Sequence, residues 1–142
     1  MIDLILISHA ALAAGMREAA EMILGEQENL SVFGLYPGDT LDYFAAKIEQ
    51  AIDSCPSIDN VLILSDLKCG TPDNAAMMMV LKKGVTCMTG CNLPMLLDVL
   101  SMRDECSVRE IVELASNTGK NGITHSVQIQ AEYQNKERRC EE

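Results

Sequence analysis

The sequence has no tryptophan, two phenylalanines and three tyrosines, so its core must be aliphatic rather than aromatic. It has no C-x-x-C pair and no alternating Cys/His set. Cys55, Cys69, Cys87, Cys91, Cys106 and Cys140 are scattered through apolar or helical patterns. That spacing excludes a zinc site, and with no secretory leader in view it argues against a disulfide framework; reduced thiols in the cytoplasm are expected. There is no basic cluster either: 21 acidic against 11 basic residues leave a net charge of −10. Nucleic acid is thereby excluded as a partner, and an acidic surface suits a basic protein instead. Finally, no apolar run is long enough to cross a bilayer. The longest apolar opening, Ile2–Ile7, passes at once into a helical pattern.

What remains is a chain of 142 residues, 48% apolar, the size of one ordinary domain that buries most of its apolar surface. Five of the six residues from Ile2 to Ile7 are Ile or Leu, the pattern of a strand buried on both faces of a parallel sheet. It ends abruptly in Ser8-His9. His9 therefore lies just past the carboxyl end of a strand, the edge of an open α/β sheet where ligands bind. A reactive imidazole and a His that only caps the strand are equally consistent with this stretch.

The pattern then repeats. A helix follows through Met16, Ala19, Ala20, Ile23 and Leu24, stopped by Gly25. Leu30–Tyr36 is a second strand closed by the turn Pro37-Gly38-Asp39, and Thr40 to about Ser54 is an amphipathic helix with Asp39 or Thr40 as cap. Val61–Leu64 is a third buried strand, and it too ends in a polar pair, Ser65-Asp66. If the first and third strands are neighbours, Asp66 can reach His9. A carboxylate on one imidazole nitrogen fixes the tautomer and leaves the other nitrogen nucleophilic; an Asp that merely caps a turn is the plainer alternative.

Gly70-Thr71-Pro72-Asp73-Asn74 reads as a turn Gly, an N-cap Thr, a Pro at the first helical position and an acidic first turn, opening a helix to about Lys83. Its free N–H groups would face the same edge as His9 and Asp66, which suits a phosphoryl group. The Met77-Met78-Met79 run reads as gap-filling core. Val85–Thr89 is a fourth strand, Leu93 opens another helix, and Ser107-Val108-Arg109-Glu110 is a capping box for a helix to Gly119. Ile123–Val127 reads as a short fifth strand, His125 as an ordinary surface residue, and residues 128–142 as a loose polar tail to a domain of residues 1–127.

Taken together, ILISHAALAAGM at residues 5–16, GEQEN at 25–29, Tyr36-Pro37-Gly38-Asp39, the SD…GTPDNAA segment at 65–76 and CNLPML at 91–96 give a chain that resembles the mannose-family enzyme IIA component of the bacterial phosphoenolpyruvate-dependent sugar phosphotransferase system (PTS). The resemblance runs to about Val127. It implies a doubly wound, parallel four-stranded α/β sheet with helices on both faces, and a homodimer that exchanges a C-terminal strand, here Ile123–Val127. It further implies that His9 accepts a phosphoryl group from the phosphocarrier protein HPr and passes it to a IIB component. Asp66 matches the acidic partner of the active histidine, and Thr71 with Gly70 matches the phosphoryl-binding helix start. No cofactor or metal is implied, and the location implied is cytoplasmic.

Leu67-Lys68-Cys69-Gly70 stands where the family usually has an aromatic or aliphatic residue and two glycines, and Asp73 replaces a usual apolar residue. A bulkier, more polar loop beside His9 is expected. That loop motivates an alternative, a regulatory module phosphorylated on His9 that signals by binding another protein. The CNLPML segment sides with the sugar-transport branch rather than with related domains that energise a dihydroxyacetone kinase. A receiver domain phosphorylated on Asp66 is disfavoured, because Ser8-His9 occupies the place where such domains carry magnesium-binding carboxylates.

Overall fold

The computed structural model describes residues 1–141. The chain runs β1 (Asp3–His9), α1 (Leu12–Leu24), β2 (Leu30–Leu35), α2 (Leu41–Asp53), a short 3₁₀ turn at Ile58–Asn60, β3 (Val61–Ser65), α3 (Thr71–Lys83), β4 (Thr86–Thr89), α4 (Leu93–Met102), α5 (Val108–Asn121) and α6 (Ser126–Glu141). The strands form one sheet in the order β2-β1-β3-β4, every pairing parallel.

Side chains alternate across each strand, and here both faces are apolar. Leu4 and Leu6 of β1 with Leu62 and Leu64 of β3 join the core under α1, α4 and α5. Ile5 and Ile7 with Val61 and Ile63 join the core under α2 and α3. Each fully buried Leu or Ile contributes about 1.5–3 kcal/mol, which is why the central strands carry continuous apolar runs instead of an alternating pattern. Of the methionine run only Met79 is buried; Met77 and Met78 are 44% and 38% exposed. A helix covering one face of a sheet cannot bury three consecutive residues, since they point some 100° apart.

Order 2-1-3-4 has a functional consequence. From β1 the chain crosses to one side, to β2, while from β3 it crosses to the other, to β4. The carboxyl ends of β1 and β3 therefore flank the point where the winding reverses, the crevice where open α/β sheets hold ligands.

Helix caps mostly follow the local sequence. Thr40 accepts the amide of Tyr43 at the start of α2, Asn92 accepts that of Met95 at α4, and Ser107 and Glu110 form a complete capping box at α5. Gly25, at φ +85°, ends α1. The Gln27–Asn29 segment is pinned from the end of α4. Arg103, 4% exposed, donates to the carbonyls of Glu28 and Asn29 and to Oε1 of Gln27, and burial lowers its pKa from the ordinary value.

The C-terminal region departs from expectation. Ile123–Val127 forms no strand: the Ile123 amide still bonds back to the Lys120 carbonyl, and Ser126 already begins α6. Within one chain this stretch adds no fifth strand to the sheet, and Ile123 and Val127 are 76% and 71% exposed. Residues 126–141 form the helix α6. Their Gln, Glu, Lys, Arg and Ala residues are good helix formers whatever their polarity. His125 is exposed, and its Nδ1 accepts the amide of Gln128, capping that helix. Among the described residues no helix is long and apolar enough to cross a membrane.

Candidate active site

The two polar strand ends meet. In register, Ile7 of β1 lies beside Ser65 of β3, so His9 and Asp66 extend side by side from adjacent strands. Asp66 Oδ2 accepts the backbone N–H of His9 at 2.9 Å and lies 2.8 Å from His9 Nδ1. A carboxylate only accepts, so Nδ1 carries the proton and Nε2 presents its lone pair outward. The His9 side chain is 45% exposed while that of Asp66 is 9% exposed: the anchor is buried and the reactive edge faces solvent. Among the described residues, Asp66 Oδ1 and the neighbouring Ser65 Oγ are buried without hydrogen-bond partners.

Local backbone aims the imidazole. Ser8 is 1% exposed; its Oγ accepts the Ala13 amide at 2.7 Å and donates to the His9 carbonyl at 3.0 Å. Ser8 thereby caps α1 from below the turn, a task for which the residue at the cap position, Ala11, has no side-chain acceptor. Ala10 takes φ +45°, and its amide bonds to the Leu35 carbonyl at 2.7 Å. The Ala10 carbonyl passes so close to β2 that a Cβ on Gly34 would lie 2.2 Å from it. Gly34 is thus the residue that lets the chain turn just after His9. A Gly inside a strand pattern is the signal that could have marked it, because it often means close backbone approach.

On the other side lies the start of α3. The helix begins one residue earlier than the local pattern suggests: Gly70 is the cap residue and makes no side-chain cap bond, Thr71 is the first helical residue and Pro72 the second. Thr71 is therefore not the N-cap. A Pro is tolerated throughout the first turn, where its missing N–H has no intrahelical partner to lose, and this freedom allows the shift. The first intrahelical bond runs from the Asn74 amide to the Gly70 carbonyl, so the amides of Thr71 and Asp73 belong to the helix's free positive end. Gly70 abuts the imidazole: a Cβ there would sit 2.7 Å from His9 Cε1 and 3.3 Å from Nε2. His9, Asp66, Gly70 and the opening of α3 carrying Thr71 converge on the switch-point crevice.

The loop between them is polar and projecting, as Lys68 and Cys69 predict. Leu67 is 59% exposed, and Cys69 adopts φ +64°. Beside it a hollow of about 340 Å³ is lined by residues including Lys68, Cys69, Asp73 and Cys87. Asp73 is not a surface residue of the first turn. It is 6% exposed, accepting the Cys69 amide at 2.8 Å and the Thr89 hydroxyl at 2.8 Å. No local pattern signals that contact, because Thr89 is 16 residues away. The nearby thiols of Cys87 and Cys91 are pushed up to about 12, by burial first and then by the charges of Asp73 and Asp66 respectively.

A profile of the family described as "EIIA-man: PTS system fructose IIA component" matches residues 3–116. The chain is 38% identical over 111 residues to the PTS system sorbose-specific EIIA component of Lacticaseibacillus casei, covering 78% of this chain and 80% of that protein. It is 34% identical over 124 residues to the PTS system mannose-specific EIIAB component of Escherichia coli K12, covering 86% of this chain; it spans only 38% of that longer protein. Its backbone is similar to a mannose/sorbose specific IIA subunit of the phosphotransferase system from Enterococcus faecalis, with TM-score 0.80 and 27% identity over 87% of this chain and 93% of that one. A match to the family profile over most of its length, on a sheet of the same architecture, places this chain in the mannose family of PTS enzyme IIA components.

Proposed function

We propose that this chain relays a phosphoryl group within a sugar phosphotransferase system, accepting it on Nε2 of His9 from the phosphohistidine of HPr and handing it to a histidine of a IIB component in the cytoplasm. The observation that carries the reading is the Asp66 Oδ2 contact with Nδ1 of His9 at 2.8 Å, which commits the second nitrogen to the role of nucleophile. In the step, the Nε2 lone pair forms the new N–P bond as the donor's N–P bond breaks and its electron pair returns to the donor imidazole. The Nδ1 proton stays on His9, where Asp66 offsets the positive charge that develops on the ring.

Donor and acceptor linkages are alike, so the transfer is close to isoenergetic. The protein then has to align the reacting atoms and balance the charge of the phosphoryl oxygens. The free amides at the start of α3, which opens from Gly70 against the imidazole, and the Thr71 hydroxyl would take up those oxygens. Gly70 leaves the space. An exposed Leu67 next to this edge suits contact with partner proteins in turn.

Incubating the chain with phosphoenolpyruvate, enzyme I and HPr, followed by a IIB component, tests the relay: label should appear on His9 and then leave it. A second reading is favoured by the projecting Leu67-Lys68-Cys69 loop. It keeps phosphorylation of His9 but makes the output binding to a regulatory protein, and label that persists on His9 in the presence of IIB components would support it. A homodimer belongs to the same proposal; β4 is an edge strand of the sheet and open to pairing, and light scattering at several concentrations tests it.

A further inference from the structure

The proposed relay makes no use of Asp73, although this carboxylate is 6% exposed and sits beside the reacting edge. Both of its oxygens are engaged. Oδ2 accepts the Cys69 amide at 2.8 Å and Oδ1 accepts the Thr89 hydroxyl at 2.8 Å. Asp73 is the third residue of α3, so the first of these bonds resembles the returning half of a capping box, displaced one residue outward because the Gly70 amide is already bonded to the Leu67 carbonyl. The second bond fastens the same group to the end of β4, where Thr89 lies beside Ser65 in register and Ser65 precedes Asp66.

The held residue is strained. Cys69 has φ +64°, a left-handed backbone that a non-glycine residue keeps only where its surroundings over-determine it. One restraint is the Gly70 amide bonded to the Leu67 carbonyl at 3.1 Å. The other is Asp73. Immediately after Cys69 comes Gly70, whose missing Cβ is the reason that the imidazole fits, with Nε2 only 3.3 Å from where that carbon would be. Gly70 follows Cys69 directly in the chain and lies against the imidazole, so a change in the Cys69 backbone alters the packing at the reactive nitrogen.

We propose that Asp73 is a positioning residue for phosphoryl transfer at His9: it holds the Cys69–Gly70 peptide clear of Nε2 and tied to β4, acting through the backbone without touching the phosphoryl group. The kinetic half of this inference rests on the relay reading; the structural half does not. The chemistry required at position 73 is two acceptors, or an amide whose Oδ1 takes the Cys69 N–H while its Nδ2 donates to the Thr89 hydroxyl oxygen. Asp73→Asn can therefore restore the strap, Asp73→Ala removes both legs and Thr89→Val removes one.

The test uses the full chain as wild type and these three variants, with three readouts: hydrogen exchange of the Cys69 amide, the NMR position of the His9 Cε1 proton, and the rate of phosphoryl acceptance as a function of phospho-HPr concentration. Asp73→Ala should speed Cys69 exchange by roughly tenfold or more and shift the His9 proton. Its maximal rate should fall roughly tenfold or more while the half-saturating donor concentration stays within about twofold. Asp73→Asn should recover the rate to within about threefold, and Thr89→Val should lie between. An unchanged Cys69 amide and His9 proton in Asp73→Ala would overturn the inference, and so would a loss seen only in the half-saturating concentration, or an equal loss in Asp73→Asn with Cys69 still protected. If Asp73→Ala does not fold, Thr89→Val decides: faster Cys69 exchange with a lower maximal rate supports the strap, and wild-type behaviour contradicts it. A wild type that accepts no phosphoryl group would instead count against the relay, and the two NMR readouts would still decide the positioning role.

Discussion

Asp66 holds His9 twice through one oxygen: Oδ2 accepts both the backbone N–H, at 2.9 Å, and Nδ1–H, at 2.8 Å. The first contact fixes where the residue sits and the second fixes how the ring is turned. Asp66→Asn can keep one acceptor oxygen in place but loses the charge that supports a developing imidazolium. It should fold normally, with thermal melting near wild type, and transfer phosphoryl groups slower by on the order of 10²-fold or more. Stopped-time labelling against a titration of phospho-HPr checks this.

Gly70→Ala separates stability from chemistry. Gly70 has φ −74° and ψ 166°, a conformation that alanine adopts freely, yet the new methyl would stand 2.7 Å from His9 Cε1. The expected outcome is an unchanged denaturation midpoint with acceptance reduced by roughly tenfold or more. Gly15→Ala is the contrasting control, because nothing lies within 4 Å of its added carbon. In the interior of α1 it should stabilise by about 0.5–1 kcal/mol and leave transfer intact.

Ser8→Ala removes the hydroxyl that takes the Ala13 amide at 2.7 Å. A buried amide at the start of α1 is then unsatisfied, which costs about 1–2 kcal/mol, measurable by urea denaturation. The same change frees the Ala10 turn, so transfer should slow as well.

The clamp between α2 and α3 sets an acid-side dependence. Glu49 pairs with Lys82 Nζ at 2.7 Å and Lys83 Nζ at 3.2 Å, and these hydrogen bonds, Lys82 first, hold its pKa below the usual value. A carboxyl lowered on folding contributes stability above its unfolded pKa and loses it as the pH falls through the folded value. Lys83 is raised, chiefly by its bond to Asp53, so its contribution is present at neutral pH and lost only at high pH. Melting temperature followed from pH 7 downward should therefore fall less steeply in Glu49→Gln than in wild type.

Much of this architecture is legible in the linear chain because it is local. Ile5 and Ile7 against Leu4 and Leu6 announce a strand buried on both faces, Ser107 and Glu110 announce a helix start, and His9 and Asp66 each end an apolar run. That they touch depends on β1 and β3 being neighbours, which strand order decides and no short pattern reveals. The Asp73–Thr89 bond is hidden for the same reason. Thr71 misleads as a cap because Gly70 serves equally well there, and the β-branched residues of Ile123–Val127 suggest a strand that does not form within one chain, where Ser126 already begins α6.

The most direct test of the relay is the intact mass of wild type and His9→Ala after incubation with phosphoenolpyruvate, enzyme I and HPr. One phosphoryl increment on wild type, lost in acid and absent from His9→Ala, is the predicted result. An increment that survives in His9→Ala, or none on wild type, would contradict it.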